Sequence, residues 1–325
     1  MTRNQLLGLA GAFCLALSPF PASAYSALYV FGDSLSDAGN VYLGTGGAEP
    51  ASPPYYNGEF SNGPIWIEDL SEKLGLGPAV PSLAGGTDYA FGGATTGYAA
   101  TNSSPSLVPS LAAQVIGFVQ GAGGTVPSSG LYSVWIGSND IFNIINSGVP
   151  VGTAVGEAQG AALVEAQAIL LLAESGATHF LVPLVGDLGV TPTLNGSPAA
   201  AQAGTDLSYI YDIALESDLS GFLGGVPGIS VSVLDTFSLL DAAVLDPAAF
   251  GLSNVSNACY VGPYTGGGTT CATPDQYLFW DQLHPSATGQ ALVAQLAFNA
   301  VPEPATLALL GVGVAGIGAL RRRRG

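Results

Sequence analysis

The sequence predicts an α/β fold in which helices pack on a central, mostly parallel sheet of five strands. Short apolar runs rich in β-branched and aromatic residues alternate with longer segments of helical pattern. This alternation is typical of folds with a parallel sheet. The sequence contains no internal repeat and no linker between residues 25 and 300. We therefore expect one domain over residues 25–300.

The five predicted strands are apolar runs bounded by glycine, proline or polar residues. They occupy residues 27–31, 85–94, 130–136, 178–185 and 229–234. The second of them ends in the glycine pair at positions 92 and 93. Glycines at a strand end let the backbone approach a ligand and direct N–H groups toward it.

Six helices are predicted from apolar residues at helical spacing and from boundary residues such as Ser, Pro and Gly. They occupy residues 64–74, 107–119, 153–175, 198–222, 240–250 and 286–301. The loop at residues 40–62 is rich in Gly, Pro and Tyr and has no periodicity. Such long loops are often functional, so it is expected either to line a cleft near the first strand or merely to cover the domain.

The charge of the chain limits the ligands it can bind. The sequence has 6 basic and 23 acidic residues, a net charge of −17, and Lys73 is the only Lys or Arg between residues 25 and 302. The negative electrostatic field of such a chain repels nucleic acid and anionic membranes. The scarcity of cations also disfavours a site that binds phosphate through Lys or Arg. The composition favours an extracellular protein adapted for solubility.

The first 24 residues have the pattern of a secretory signal peptide. Arg3 precedes an apolar core at residues 6–17, and the small residues Ala22-Ser23-Ala24 form a typical cleavage site. Cleavage is expected before Tyr25. Cys14 lies in this segment, which leaves Cys259 and Cys271 as an even pair. In an exported protein such a pair predicts a disulfide, because no further metal ligands lie nearby.

The other end, residues 301–325, has an unusual order of features. Val301-Pro302-Glu303-Pro304 is followed by an apolar stretch at residues 305–320 and by four arginines. A simple tail anchor is one interpretation, since arginines hold a terminus on the cytoplasmic side. The order also resembles the PEP-CTERM sorting signal of Gram-negative bacteria. That resemblance implies export across the inner membrane, transient membrane anchoring, and cleavage by an exosortase-type enzyme for release to the cell surface or extracellular matrix.

Polar residues at strand ends form the candidate site, because open α/β folds place sites at the carboxyl edge of the sheet. Ser34 follows the first strand in a Gly-Asp-Ser turn and is a candidate nucleophile. Asn139 follows the third strand and can donate to an oxyanion, or it can be a helix N-cap.

The chain contains two histidines, and they differ in setting. His179 begins an apolar strand and is expected to be structural. His284 lies in a loop with Asp281 three residues earlier, a spacing at which the carboxylate can orient the imidazole. With Ser34 the order is Ser, Asp, His, which fits a catalytic triad.

Four separated blocks resemble those of the GDSL esterases and lipases, also called SGNH hydrolases. They are residues 31–40 (Phe-Gly-Asp-Ser-Leu-Ser-Asp-Ala-Gly-Asn), 91–94 (Phe-Gly-Gly-Ala), 137–140 (Gly-Ser-Asn-Asp) and 281–285 (Asp-Gln-Leu-His-Pro). Residues 183–189 resemble a strand-end segment of the same family. The resemblance spans nearly all of residues 25–300. It implies a three-layer α/β/α sandwich, the flavodoxin-like SGNH hydrolase fold.

The resemblance implies a role for each matching residue. Ser34 would be the nucleophile, His284 the general base and acid, and Asp281 its orienting partner. The backbone N–H groups of Ser34 and Gly93 and the side-chain amide of Asn139 would form the oxyanion hole. Block alignment leaves open whether position 92 or 93 supplies the glycine donor. No metal or cofactor is implied.

The implied function is an exported serine hydrolase of carboxylic esters that acts through an acyl-enzyme. Candidate substrates are acyl lipids, small esters and acetylated polysaccharides. The scarcity of cations disfavours anionic phospholipids, and the sorting tail favours a deacetylase of matrix sugars. The alternative is a catalytically silent surface protein with a hydrolase fold that binds extracellular polysaccharide. Such a protein would be expected to lack one of the residues named above, and the sequence retains them all.

Overall fold

The computed structural model of the chain describes residues 25–101 and 107–301. The predicted signal peptide at residues 1–24 lies outside the described residues, as does the predicted sorting signal beyond Val301.

Four parallel strands form the central sheet, and their spatial order follows the chain. They are β1 (Leu28–Gly32), β2 (Leu131–Trp135), β3 (His179–Pro183) and β4 (Ser230–Leu234). The strands are in register at their first residues: Leu28 pairs with Leu131, Leu131 with His179, and His179 with Ser230. The carboxyl ends of the strands therefore meet at one edge, and the predicted parallel α/β sheet is confirmed.

Helices cover both faces of this sheet. They are α1 (Asn40–Gly44), α2 (Trp66–Lys73), α3 (Leu111–Gly121), α4 (Ser138–Ser147), α5 (Val151–Glu174), α6 (Pro198–Leu223), α7 (Thr236–Leu245) and α8 (Ala287–Ala300). On one face α3, α5 and α6 pack against Phe31, Tyr132 and Phe180. On the other face α2 and α8 pack against Val30 and Leu131. Since successive strand residues point to opposite faces, the result is the expected three-layer sandwich.

Two small sheets lie between α7 and α8. β5 (Asn254–Ala258) pairs with β8 (Tyr277–Phe279), and β6 (Tyr260–Val261) forms an antiparallel hairpin with β7 (Thr269–Thr270). Cys259 and Cys271, the pair expected from the sequence, form a disulfide at the open end of this hairpin.

The predicted strand at residues 85–94 is wrong, and the sheet has four strands rather than five. The segment does run beside β1, where the N–H of Tyr89 donates to the carbonyl of Val30 at 2.7 Å. Only Asp88 forms a bridge with that strand. On the other side, the amide of Asn40 donates to the carbonyls of Asp88 and Ala90, both at 2.9 Å. The N–H of Val30 donates to the carbonyl of Thr87 at 3.0 Å and the N–H of Phe91 donates to the carbonyl of Gly32 at 3.1 Å. Backbone bonds therefore hold this segment beside β1, while a side chain rather than a further strand binds its outer carbonyls.

Capping side chains explain why two helices differ from their predicted boundaries. α3 begins at Leu111 rather than residue 107, after Ser110 accepts from the N–H of Ala113. α7 begins at Thr236 rather than residue 240, because Asp235 caps it by accepting from the N–H of Ser238 at 2.8 Å. It ends before Pro247, where a 3-10 turn begins. Helix α1 was not predicted, and α4 was expected only in the alternative in which Asn139 caps a helix.

Within the described residues, α5 is the one helix that is long and apolar enough to cross a bilayer. Half of its most apolar window is buried inside the domain, where its alanine-rich face packs in the core beside α6. A buried core helix meets the same criteria of length and composition, so α5 is weak evidence for a membrane span.

Candidate active site

The turn that carries Ser34 begins where β1 leaves the sheet. The amide of Gln114 closes the end of the strand: its Oε1 accepts from the N–H of Gly32 and its Nε2 donates to the carbonyl of Gly32, both at 2.9 Å. A Cβ on Gly32 would lie 2.2 Å from the carbonyl oxygen of Trp135, so β1 and β2 can approach this closely only with glycine here. Asp33 then accepts from the N–H of Leu35 at 3.0 Å. The chain thus turns and presents the Ser34 hydroxyl at the carboxyl edge of the sheet.

Ser34, His284 and Asp281 form a continuous hydrogen-bonded chain. The Oγ of Ser34 lies 2.8 Å from the Nε2 of His284. The Nδ1 of the same imidazole lies 2.9 Å from Oδ1 and 2.8 Å from Oδ2 of Asp281. All three residues are buried. Such an arrangement can move a proton from the hydroxyl to Nε2 while the carboxylate holds the other ring nitrogen.

The carboxylate of Asp281 is stabilised in its charged form. Burial raises its pKa, but the charge of His284, its hydrogen bond, and backbone N–H donors from Leu283 and His284 outweigh burial and leave the pKa below the ordinary value. Those backbone donors lie 2.9 and 2.8 Å from Oδ1. Asp281 is therefore ionised at neutral pH, as an orienting partner of an imidazole must be.

Residues 281–285 form a tight loop between β8 and α8. The N–H of Trp280 donates to the carbonyl of His284 at 2.8 Å, and the N–H of Ser286 donates to the carbonyl of Leu278 at 2.9 Å. Ser286 then caps α8 through the N–H of Gly289. Both ends of the loop are thus fixed by hydrogen bonds, and this holds the imidazole of His284 at the carboxyl edge of the sheet.

One cleft contains all the residues that the sequence singled out for an oxyanion hole. Ser34, Gly92, Gly93, Asn139 and His284 line it. The segment at positions 40–62, which was expected to line a cleft, contributes six residues: Asn40, Val41, Gly44, Thr45, Glu49 and Phe60. The ring of Phe60 packs on the imidazole of His284 with centroids 5.1 Å apart.

The two glycines of the cleft differ in how their N–H groups are used. The N–H of Gly92 donates to Oδ2 of Asp37 at 2.8 Å. Among the described residues, the N–H groups of Gly93 and Ser34 have no protein acceptor. Gly93 has a φ of +80°, a conformation that favours glycine.

Asn139 is not the N-cap of α4. Gly137 occupies that position, and Asn139 lies within the first turn of the helix. One amide hydrogen of its Nδ2 donates to the carbonyl of Ala94 at 2.9 Å, which fixes the side chain over the cleft. The neighbouring Asp140 accepts from the N–H and the hydroxyl of Thr96 at 2.9 and 2.8 Å. The block at residues 137–140 thus joins β2 to the glycine turn.

Three supporting residues of the site were not assigned a role from the sequence. Asp37 accepts from the N–H groups of Gly39 and Gly92, both at 2.8 Å, and so ties the serine turn to the glycine turn. Asp88 accepts from the N–H of Ala38 in the serine turn and from the N–H of Ala90 before the glycine turn. The hydroxyl of Tyr55 donates to Asp281 at 2.7 Å. Asp37 belongs to the block around Ser34, whereas no sequence signal connects Tyr55 with Asp281.

Outside the cleft, His179 lies at the start of β3, with its ring against Tyr25 at a centroid distance of 5.4 Å. That placement agrees with the structural role expected for it. Across residues 25–101 and 107–301, no group of three or more His, Cys, Asp or Glu is placed to hold a metal ion.

Comparison with protein families gives two matches. Residues 28–297 match the family described as GDSL-like Lipase/Acylhydrolase, and residues 300–324 match the PEP-CTERM protein-sorting motif. The second match indicates export and membrane-associated sorting in Gram-negative bacteria.

Individual relatives cover most of the chain. It is 31% identical to a phosphatidylcholine-sterol acyltransferase of Aeromonas hydrophila, over 80% of this chain and 72% of the relative. It is also 31% identical to the esterase EstA of Pseudomonas aeruginosa, over 95% of this chain and 52% of the relative. The chain spans about half the length of four of the curated relatives that it matches. A solved GDSL-family lipolytic protein of Veillonella parvula aligns with a TM-score of 0.45 and 14% identity, over 84% of this chain and 96% of that one.

Proposed function

Because the chain belongs to the GDSL-like lipase/acylhydrolase family, we propose that it is an exported hydrolase of carboxylic esters. The observation that carries this proposal is the hydrogen-bonded chain from Ser34 Oγ through His284 to Asp281, with 2.8 Å between Oγ and Nε2. This geometry supports nucleophilic catalysis through an acyl-enzyme, with Ser34 as nucleophile, His284 as general base and acid, and Asp281 as the orienting carboxylate.

The reaction would proceed in two halves. Oγ of Ser34 attacks the ester carbonyl while its proton passes to Nε2 of His284. The tetrahedral intermediate collapses when Nε2 returns that proton to the oxygen of the leaving alcohol, which leaves the acyl group on Ser34. A water molecule then attacks the acyl carbon and gives its proton to Nε2. The second intermediate expels Ser34 Oγ, which takes the proton back as the carboxylic acid leaves.

The oxyanion would be held by the N–H groups of Ser34 and Gly93 and by the amide of Asn139. Asp37 supports the choice of Gly93 over Gly92, because it already accepts the N–H of Gly92 at 2.8 Å. Asn139 donates one amide hydrogen to Ala94, and the second hydrogen remains for the substrate oxygen. Removing one such donor typically costs about 100-fold to 1000-fold in kcat.

Two recesses that share Leu283 as a lining residue support an ester with its acyl and alcohol portions in separate places. The apolar pocket is lined by Leu35, Leu239 and Leu283 among other residues, without a charged side chain. The cleft that contains Ser34 has polar and apolar side chains in its lining; among the described residues that line it, Glu49 is the only carboxylate and there is no Lys or Arg. An acyl chain fits the first, and an uncharged alcohol fits the second. We therefore propose an acyl ester with an alcohol portion that carries no net negative charge.

The name of the Aeromonas relative describes acyl transfer from phosphatidylcholine, a lipid without net charge. An acyl lipid or small ester agrees with the apolar pocket, whereas the sorting motif favours an acetylated matrix polysaccharide. Both substrate classes place an ester carbonyl beside Ser34. The length of the acyl group distinguishes them, because an acetyl group would leave the apolar pocket empty.

We propose that the chain is organised in three parts: a signal peptide at residues 1–24, the hydrolase domain at residues 25–300 and the sorting signal at residues 301–325. The match of the PEP-CTERM motif to residues 300–324 supports the last part. The protein would cross the inner membrane, be retained there transiently, and reach the cell surface or extracellular matrix after an exosortase-type enzyme cleaves the motif.

The proposal is tested by hydrolysis of short p-nitrophenyl esters with the purified protein and its Ser34→Ala variant. The expected result is turnover by the wild type and its loss in the variant, with unchanged circular dichroism. Wild-type turnover in Ser34→Ala would remove Ser34 from the reaction. A wild-type protein that hydrolyses no ester of any chain length, yet binds matrix polysaccharide, would support a silent binding module instead.

A further inference from the structure

We propose that Tyr55 is a positioning residue of the triad, whose hydroxyl holds the carboxylate of Asp281 in line with His284. This inference rests on the proposed function, since it concerns the efficiency of the same reaction. The phenolic hydroxyl donates to Oδ2 of Asp281 at 2.7 Å, although the two residues are 226 positions apart. Tyr55 is only 2% exposed.

Hydrogen bonds hold both oxygens of the Asp281 carboxylate. Oδ1 accepts from the backbone N–H groups of Leu283 and His284 at 2.9 and 2.8 Å. Oδ2 faces Nδ1 of His284 at 2.8 Å and accepts from Tyr55. Without the phenol, the imidazole would be the only hydrogen-bond partner of Oδ2 in the part of the chain that the structure describes. The carboxylate could then rotate or tilt away from the line that joins Nδ1, Nε2 and the serine hydroxyl.

The charge states of the two groups suit this role. Burial and the negative charge of Asp281 raise the pKa of Tyr55 far above the ordinary value for a tyrosine. The phenol therefore stays protonated and acts as a donor, while Asp281 stays ionised and acts as an acceptor. A hydrogen bond from a neutral donor to a buried carboxylate is among the stronger kinds in proteins.

Aromatic side chains hold Tyr55 in its place. Its ring centroid lies 5.5 Å from that of Tyr260, 5.8 Å from Tyr264 and 6.2 Å from Trp280. Tyr260 and Trp280 also stack on each other, with centroids 5.7 Å apart. Tyr260 follows directly after Cys259 of the disulfide and belongs to the hairpin strand β6. The position of the hydroxyl is therefore fixed by the packed rings around it.

The test is the Tyr55→Phe variant, which removes the hydroxyl and keeps the packed ring. Expected are a kcat lowered about tenfold and a KM within about twofold of wild type, since the substrate does not contact this hydroxyl. Rates are expressed per active site, titrated with a phosphonate that reacts with Ser34, so that unfolded protein does not contribute. A kcat equal to that of the wild type would overturn the proposal.

The matched control is Tyr260→Phe. Its hydroxyl lies in the same aromatic cluster but donates to the carbonyl of Pro263 at 2.9 Å and does not contact the triad. We expect an unchanged kcat per active site. If kcat fell as much in Tyr260→Phe as in Tyr55→Phe, the loss would reflect the packing of the aromatic cluster. That result would contradict a specific role for the Tyr55 hydroxyl.

A double-mutant comparison tests whether Tyr55 acts through Asp281. In the Asp281→Asn background, whose residual turnover is measured at high enzyme concentration, Tyr55→Phe should cause no further loss. A second tenfold loss in that background would overturn the proposal. The Ser34→Ala variant separates this outcome from the proposed function: if Ser34→Ala is inactive while Tyr55→Phe is normal, only the role of Tyr55 fails.

Discussion

The imidazole of His284 lies with Nε2 2.8 Å from the hydroxyl oxygen of Ser34, although 250 residues separate them in the chain. Ser34 follows the first strand of the sheet, whereas His284 belongs to the loop before the last helix. The parallel sheet brings the serine to its carboxyl edge, and the hydrogen bonds at both ends of residues 281–285 bring the histidine to the same place. The contact thus depends on the whole fold rather than on a local motif.

Asn139→Ala is expected to lower kcat by about 100-fold or more, because one of three oxyanion donors is lost. Stability should change little, since Gly137 and not Asn139 caps α4. Ester hydrolysis and thermal unfolding are measured on the same preparation. Asn143→Ala, on the exposed side of the same helix, is the matched control and should keep wild-type values. A loss of activity in Asn139→Ala that unfolding accounts for would contradict a role in the oxyanion hole.

Leu239→Trp is expected to shorten the acyl chains that the protein accepts, because Leu239 lines the apolar pocket that we propose for the acyl group. We expect kcat/KM for a decanoyl ester to fall about tenfold or more and that for an acetyl ester to stay within about twofold. Leu245→Trp is the control, since Leu245 lies on the same helix and is 87% exposed. Equal changes for both esters in Leu239→Trp would show that the acyl group does not enter this pocket.

Buried carboxyl groups should make the protein more stable in mild acid than in mild alkali. Burial raises the pKa of Asp140 to about 6, of Asp33 to about 7 and of Asp212 to about 8, all from 3.8. A raised folded-state pKa contributes stability that is fully present below the unfolded pKa and is lost as the pH rises through the folded pKa. The midpoint of thermal unfolding is therefore expected to fall as the pH increases from about 5 to about 8. Asp281, whose pKa is lowered, acts in the opposite direction only in stronger acid.

Asp212→Asn tests this pH dependence away from the cleft. Asp212 accepts from the N–H of Val185 at 2.8 Å through Oδ1, while its buried Oδ2 has no partner within residues 25–101 and 107–301. The amide should keep the first contact and remove the charge, so the unfolding midpoint should depend less on pH and ester hydrolysis should not change. Asp206→Asn, on the exposed face of the same helix, should keep the wild-type pH dependence. An unchanged slope in Asp212→Asn would assign the effect to other groups.

The sequence was sufficient for the parts of the fold that depend on local pattern. The apolar runs at residues 27–31, 130–136, 178–185 and 229–234 correspond to β1 to β4, because a strand buried on both faces needs continuous apolar side chains. The run at residues 85–94 has a similar pattern and is not a strand. There the amide of Asn40 donates to the carbonyls of Asp88 and Ala90, and this contact cannot be predicted from a local sequence pattern.

The same distinction applies to the site. Ser34, Asp281 and His284 could be singled out because each lies in a short block with characteristic neighbours, and the structure brings all three together. Their catalytic roles stay predictions. Tyr55 could not be singled out, because its contact with Asp281 joins residues 226 positions apart without a shared motif. Asp37 could be noticed as part of a block, but its bond to Gly92 becomes visible only in three dimensions.

We propose Ser34 as the nucleophile of an ester hydrolase. The most direct measurement is intact-protein mass spectrometry after reaction with a fluorophosphonate, with the adduct located by peptide mapping. We expect one adduct per wild-type chain, on Ser34, formed in parallel with loss of p-nitrophenyl ester hydrolysis, and none in Ser34→Ala. An adduct at another residue, or an active wild-type protein that forms none, would contradict the account.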